Sequence, residues 1–400
     1  MKKLCMLMLG TLSLALLADG FKEVNNGKTH NGSYTLKLTE DLRFGSEDGE
    51  EEYLWPGASV VMEADSRGHM FVVDGIGTRL LEFDPNGKFV KIVGGPGEGP
   101  GEFSNILSYQ VLADGRGMAF SALGPSFAFS YFDKTGNFLN RDAKNGAGFV
   151  LRTANLSPDG KRIGARVSSN EAGKPTGSLI YAILDDKFTI QEELLRLDTP
   201  AFDRSKAMDA NYWAEHMGRV LKPYADGDAA FFAFDNAGNL YTAIGKKYEI
   251  TKWAPDGKKL MVIKRDYKPI PQSQEEIKAI TDPVLELTHS RLPPQLRSIV
   301  TDKVMARAVE KAGFPPIKPP VSGLLTMEDG TLIVIHDLSY STQSAVGDIF
   351  NGDGKYVGSF SHGGKGMSRM KFKNGFAYTV ETDDMGDNTV VRYKVALTRK

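Results

Sequence analysis

The stretch Phe83-Asp84-Pro85-Asn86-Gly87-Lys88-Phe89 decides the fold, because its pattern returns three times: Phe132-Asp133-Lys134-Thr135-Gly136-Asn137-Phe138, Trp253-Ala254-Pro255-Asp256-Gly257-Lys258-Lys259 and Phe350-Asn351-Gly352-Asp353-Gly354-Lys355-Tyr356. An aromatic strand end runs into an Asp/Asn/Pro turn closed by glycine. Glycine accepts the positive φ of a tight reversal, and Asp or Asn bonds back to the local backbone, so each copy predicts two antiparallel strands joined by a hairpin. Recurrence at long spacing marks a repeat architecture.

A second turn class precedes the first: Asp65 to Gly68, Asp114 to Gly117, Ser157 to Gly160, Asp235 to Gly238, Glu328 to Gly330 and Lys373 to Gly375. In three units its glycine lies 19 residues before that of the aromatic turn (Gly68 to Gly87, Gly117 to Gly136, Gly238 to Gly257). A constant interval means that the same two strands fit between the same two turns. Around the first pair, 59–62, 70–73, 79–83 and 89–93 are apolar or alternating segments, which read as four strands in one sheet. Such a sheet is one blade of a propeller.

Continued along the chain, the pattern predicts an all-β fold, a six-bladed β-propeller with four-stranded antiparallel blades. The last blade supplies only three strands before residue 400, and Tyr34 to Leu38 reads as an N-terminal strand that closes it as its outer member. Successive glycines of this second class lie 49, 43, 78, 92 and 45 residues apart, so two intervals are inflated. The extra residues are about 198–228 and 267–320, both with helical character. Ser273 and Glu276 carry a capping-box pattern, and Pro293-Pro294 and Pro315-Pro316 bracket a later helix. Both insertions fall between the last strand of one blade and the first of the next. Strand alternation therefore puts them on one face, opposite the two turn classes.

The chain has 49 Lys and Arg against 50 Asp and Glu, a net charge of −1, with no single-sign field to draw nucleic acid. Residues 1–18 read as a signal peptide: Lys2 and Lys3, an apolar run from Leu4 to Leu17, then Ala18. That run is shorter than the roughly 20 residues needed to span a bilayer. Cleavage leaves residues 19–400 as a single domain with a charge balance of 47 against 50, no cysteine and no transmembrane span, placed in the periplasm or secreted.

Asp74, Arg79 to Phe83, Asn86 to Phe89 and Gly97-Glu98-Gly99-Pro100-Gly101-Glu102-Phe103 resemble the NHL repeat of six-bladed bacterial propellers, including secreted or envelope TolB-like proteins. Tyr248 to Trp253 with Asp256-Gly257-Lys258 and the proline-bearing insertion is similar to the same group. The resemblance implies six blades, an extracytoplasmic setting and a binding scaffold. Similar propellers also include lactonases, lyases and strictosidine-synthase-like hydrolases that work from an axial metal held at the ends of inner strands. The corresponding stretches here, Ser59 to Glu63, Ala229 to Phe234 and Gly323 to Thr326, offer few such ligands, so a metal-dependent hydrolase or lyase ranks second to a binding module.

Candidate site residues follow from the predicted insertion face. His216, His289, His336 and His362 map there, and a histidine can serve as acid, base or metal ligand; no His-x-x-x-His pair supports zinc. Tyr109, Tyr212, Trp213 and Tyr267 suit a glycan or apolar ligand, or bury the insertion instead. Arg265 either anchors the larger insertion or faces a ligand. No cofactor is implied; Ca²⁺ or another divalent ion has one weak oxygen-rich candidate loop, with Asp383, Asp384 and Asp387. Gly94 to Gly101 lacks the Gly-Lys-Ser/Thr of a phosphate loop and reads as a crossover between strands. The expected partner is an unidentified envelope protein, small molecule or glycan.

Overall fold

The computed structural model describes residues 20–28, 32–45, 50–55, 60–74, 77–123, 126–144, 148–169, 177–342, 344–363, 366–367, 370–383 and 385–399. The expected signal segment, Ser59 and Asp384 lie outside them. Two strands come first, β1 (Lys22–Asn25) and β2 (Tyr34–Phe44). Antiparallel meanders follow: β3 (Val61–Ala64), β4 (Met70–Val73), β5 (Leu80–Phe83) and β6 (Phe89–Pro96), extended by β7 (Glu102–Phe103); then β8 (Ser108–Val111), β9 (Gly117–Leu123), β10 (Ser126–Phe132) and β11 (Phe138–Lys144). The third comprises β12 (Val150–Leu156), β13 (Arg162–Ser169), β14 (Ser178–Asp185) and β15 (Ile190–Asp198). Helix α1 (Ala210–Asp226) leads to the fourth, β16 (Ala230–Phe234), β17 (Leu240–Ile244), β18 (Glu249–Trp253) and β19 (Lys259–Lys264). Helices α2 (Gln274–Arg291), α3 (Pro294–Arg297) and α4 (Asp302–Ala312) lead to the fifth, β20 (Gly323–Thr326), β21 (Leu332–Leu338), β22 (Ala345–Phe350) and β23 (Tyr356–His362). The last is β24 (Lys371–Lys373), β25 (Phe376–Thr382) and β26 (Asn388–Arg399).

The turns form for local reasons. Asp84 Oδ1 accepts the amides of Asn86 and Lys88 at 2.8 and 2.9 Å, and Asp133 Oδ1 accepts those of Thr135 and Asn137 at 2.8 and 2.9 Å. Gly87 then takes φ 79° and Gly257 takes φ 87°, which a Cβ would strain. The Asn351 side chain makes the same pair of bonds, to Asp353 and Lys355, so that oxygen-rich stretch is a hairpin. Between Gly94 and Phe103 the chain turns back and pairs Gly95 with Glu102 in parallel, a crossover rather than an anion cradle.

The core lies in layers between neighbouring sheets. Phe127, Phe129, Leu151, Ile163 and Phe188 fill the layer between the second and third sheets, and Val73, Leu80, Tyr109 and Phe132 that between the first and second. Each such fully buried Leu or Phe stabilises by about 1.5–3 kcal/mol. β2 runs antiparallel to β26 from Tyr34↔Arg399 to Phe44↔Val390, the outer strand of the last meander, and also touches β23 in parallel at Tyr34↔Gly358. One N-terminal feature is not anticipated by pattern: β1 adds in parallel to β19, making a fifth strand on the fourth sheet. Asn26 then bonds Gly354 O at 3.0 Å and accepts from Tyr356 N at 2.8 Å, so residues 22–44 tie three sheets together.

Candidate functional site

Helices α1 and α2–α4 interrupt connections that leave β15 and β19, and they pack on each other. Asp209 caps α1 by accepting from the Asn211 and Tyr212 amides, and Gly227 ends it at φ 67°. Trp213, Met217 and Leu221 of α1 meet Leu285 of α2 and Val304, Met305 and Ala308 of α4 in one apolar cluster. Gly218 allows this approach, since a Cβ there would lie 2.8 Å from Lys311 Cβ. Lys311 pairs with Glu215, and Arg307 donates to Asn211 Oδ1 at 2.8 Å. The second expected helix is broken: α3 stops at Arg297 and α4 starts at Asp302.

Ser273 caps α2 by accepting from Glu276 N at 3.2 Å, but the Glu276 carboxylate does not return the bond. It accepts instead from Ser339 Oγ at 2.6 Å, Ser341 Oγ at 2.9 Å and Tyr340 N at 2.8 Å, in the loop between β21 and β22. Burial pushes this carboxyl up, yet those bonds and Lys318 outweigh it and hold it below the usual range. Lys318 sits 2.7 Å from Asp337 Oδ1 and 3.9 Å from Glu276 Oε2. The helical layer is thus pinned to the fifth sheet by the buried Glu276 and the partly buried Lys318–Asp337 pair.

Between this layer and the third, fourth and fifth sheets lies a cavity of about 330 Å³. Its apolar wall includes Leu179, Val220, Phe231 and Ile280, and its polar groups include Arg166, Tyr181, Tyr224, Gln272, Lys318 and Tyr340. Arg166 and Tyr181 are cross-strand partners in β13 and β14. Burial raises the Tyr181 hydroxyl pKa, and the Arg166 guanidinium beside it opposes the rise. Two buried polar atoms on the wall have no protein partner, Arg166 Nε, a donor, and Gln272 Oε1, an acceptor. An unpaired buried group of this kind costs about 1–3 kcal/mol.

None of the candidate site residues proposed from sequence lines this cavity, although Glu276, noted there for its capping pattern, does. Tyr109 sits elsewhere than the insertion face expected for it: it is 3% exposed, packs on Phe71 between the first two sheets and borders the axial channel. Its hydroxyl reaches the Gly117 turn, on the rim opposite the helices. Trp213 is buried in α1 with Nε1 donating to Ala207 O at 2.8 Å, and Tyr212 and His216 pack with Phe202. Arg265 is 7% exposed and lies between two sheets. Its Nε lies 2.9 Å from Asp348 Oδ2 and its guanidinium stacks 3.6 Å from the Tyr356 ring, joining the fourth sheet to the fifth. Tyr248 Oη donates to the same Asp348 oxygen at 2.6 Å, and Tyr267 stacks on Tyr248.

The four histidines have separate surroundings. His216 belongs to the Phe202 cluster, His289 to a groove between α2 and α4, His336 lies 3.8 Å from Asp348 Oδ1, and His362 packs edge-on to Tyr393. Burial lowers the pKa of His216, His336 and His362 below the ordinary 6.5, with Asp348 and Asp337 partly opposing it at His336 and Glu381 at His362. The unfolded chain therefore takes up protons near pH 6.5 that the folded chain refuses, and stability present above that pH falls as pH drops through the lowered values. Urea midpoints measured from about pH 7.5 down to 5.5 are expected to fall for the native protein and to flatten when these three histidines become glutamine. An unchanged slope in that variant would contradict the assignment.

Asp383 Oδ1 accepts the Met385 and Asp387 amides at 2.9 Å each, so this loop is a hairpin of the same turn class. Among the described residues no three His, Cys, Asp or Glu side chains converge as a metal site would need. The axial channel, about 650 Å³, is lined by residues of β3, β8, β12, β16, β20 and β24. Its charges are paired, Glu63 with Lys371 at 2.5 Å and Glu328 with Lys373 at 3.9 Å. No helix among the described residues is long and apolar enough to cross a membrane.

This arrangement of sheets around a channel is a β-propeller. Residues 49–119 match a family, DUF5128, described as a 6-bladed β-propeller. A member of the DUF4221 family from Bacteroides vulgatus is similar in structure, with a TM-score of 0.50 at 10% identity, covering 92% of this chain and 100% of that one. A protein from Bacteroides fragilis described as exported aligns over 95% of this chain and 100% of its own at a TM-score of 0.49 and 11% identity. A streptogramin B lyase aligns at 0.41 and 7% identity, covering 91% and 98%. No curated protein matches the sequence.

Proposed function

We propose that residues 19–400 form a single extracytoplasmic six-bladed propeller, its last blade closed by β2, that holds a small ligand beneath its helical layer. The Lys-Lys and apolar leader supports export, and the Asp74–Arg79 pair with the following turn supports kinship to NHL-type and TolB-like propellers. The observation that carries the binding role is the cavity beneath the helices with Arg166 Nε and Gln272 Oε1 left without partners. A ligand that offers one acceptor and one donor on an apolar or ring-shaped body satisfies both atoms while covering Tyr181, Phe231 and Tyr340. Small carboxylic acids and saccharides have that chemistry. The paired charges of the axial channel give the hydrolase or lyase reading no comparable support.

The test is thermal-shift screening of the purified protein against small carboxylates and oligosaccharides. A stabilising compound is expected to lose roughly 10- to 100-fold in affinity on Arg166→Met, the range set by about 1.5–3 kcal/mol for a hydrogen bond to a charged group. Binding that survives Arg166→Met and Gln272→Leu together would place the ligand elsewhere.

A further inference from the structure

The outward face of the helical layer has a groove of about 620 Å³ between α2 and α4, separate from the cavity beneath it. Its floor is apolar, with Ile277, Leu285, Met305 and Val309. The α2 positions that face it, Lys278, Asp282, Leu285, Glu286 and His289, repeat at the three- and four-residue spacing of one helix face. Along the rim stand Asp282, Glu286, Asp302 and Glu310, all exposed and none in a salt bridge among the described residues. Among the residues that line the groove, Lys278 supplies the one ammonium beside these four carboxylates. Charges left unpaired beside an apolar floor contrast with the flanks of the same layer, where Glu215 pairs with Lys311 and Glu276 is fully bonded.

We infer that this groove docks a basic amphipathic helix of a partner protein, its apolar stripe on the floor and its Lys or Arg side chains on the four carboxylates. Helix-in-groove recognition of this kind uses anchors spaced i, i+3, i+4 and i+7. The length fits: α2 has 18 residues, roughly 27 Å, and leaves room for a partner helix of three to four turns. Charge complementarity decides the sign of the partner and steers its approach. It also disfavours an anionic lipid surface as the occupant.

The probe is a fluorescently labelled 18-residue peptide of Leu and Lys arranged as an amphipathic helix, with a Leu and Glu peptide of the same pattern beside it. Anisotropy with the full chain is expected to show binding of the Lys peptide only, weakening as salt rises. Glu286→Lys with Glu310→Lys is expected to cost about ten-fold or more in affinity, from two attractions turned to repulsions. Ala306→Gln, a neutral change at an exposed floor position, is expected to weaken it too. Asp256→Lys with Asp353→Lys, on the opposite rim, is expected to change it less than about two-fold. Equal losses in the two charge-reversed pairs would overturn the proposal, as would no binding of the Lys peptide. So would a dimer of the native protein that Glu286→Lys disperses, or capture by anionic vesicles that the same substitution abolishes. None of these outcomes depends on the cavity beneath the helices.

Discussion

Asp74→Ala is expected to destabilise the protein by about 3–5 kcal/mol, the cost of breaking a buried ion pair from one side. Asp74 is 0% exposed, and its carboxylate accepts from Thr78 N at 2.9 Å, Arg79 N at 3.2 Å and Arg79 Nε at 2.8 Å. Arg79 extends the network outward, donating to Leu54 O at 2.8 Å and Glu51 O at 3.2 Å. The Asp74 carbonyl accepts from Gly77 N, and the Gly77 carbonyl from Ile106 N at the entry to the second sheet. One carboxylate thus fixes the β4–β5 loop, the 50–55 segment with its single 3-10 turn at Glu51–Tyr53, and the approach to the next sheet. Removing it leaves a mostly buried guanidinium whose remaining carboxylate is the exposed Glu51, 3.7 Å away. Asp74→Asn, which keeps an acceptor, is expected to lie between the native protein and Asp74→Ala. A double-mutant cycle in urea with Arg79→Ala should give strong coupling, because the second loss removes a cation already without its buried anion. A shift in Asp74→Ala of under about 1 kcal/mol, typical of exposed pairs, would show that this network does not hold the first sheet.

Much of this scaffold is legible because its determinants are local. A turn such as Asp84 to Gly87 carries its own acceptor and its own positive-φ residue, so a few letters suffice to place it. Alternation in Tyr34 to Leu38 likewise announces a strand, and the missing fourth member of the last meander supplies its place. β1 gives no such signal, because a four-residue parallel addition depends on an edge offered by β19, more than two hundred residues away. The cavity was hidden for a related reason. Arg166 and Tyr181 sit in mid-strand, Gln272 and Lys318 in an insertion and Tyr340 in a loop, and only closure of the sheets around the channel brings them together. Residue type did draw attention to Trp213, Arg265 and Tyr267, but type does not reveal direction. These large side chains are consumed in joining helices and sheets, and Glu276, which looked like half of a capping box, spends its carboxylate on a loop sixty residues further on.

Phe44→Ala is expected to open the ring at its seam and to cost about 3–5 kcal/mol, as for a large aromatic removed from a packed core. Phe44 ends β2, so it belongs to the last sheet, yet its ring lies 5.0 Å from Phe83 and 5.8 Å from Trp55 on the first. Gly87 must lack a side chain for this to happen, since a Cβ would sit 2.9 Å from the Phe44 ring. Polar contacts run alongside: Asp41, at a bulge in β2, pairs with Arg392 and Lys394, and Arg392 donates to Pro85 O at 2.7 Å in the first sheet. Burial of the aromatic ring and closure of the strand are therefore one event. Loss of the ring removes apolar burial where two ends of the chain meet, and no covalent link backs it up. Deleting residues 20–44 should go further, exposing the whole edge of β26 and producing an aggregating species. Val90→Ala, at a 46% exposed position on the outer strand β6, serves as the contrast and should stay within about 0.5 kcal/mol of the native protein. Urea unfolding of Phe44→Ala and Val90→Ala side by side makes the comparison. Near-equal midpoints would mean that the ring is held by its turns rather than by its seam.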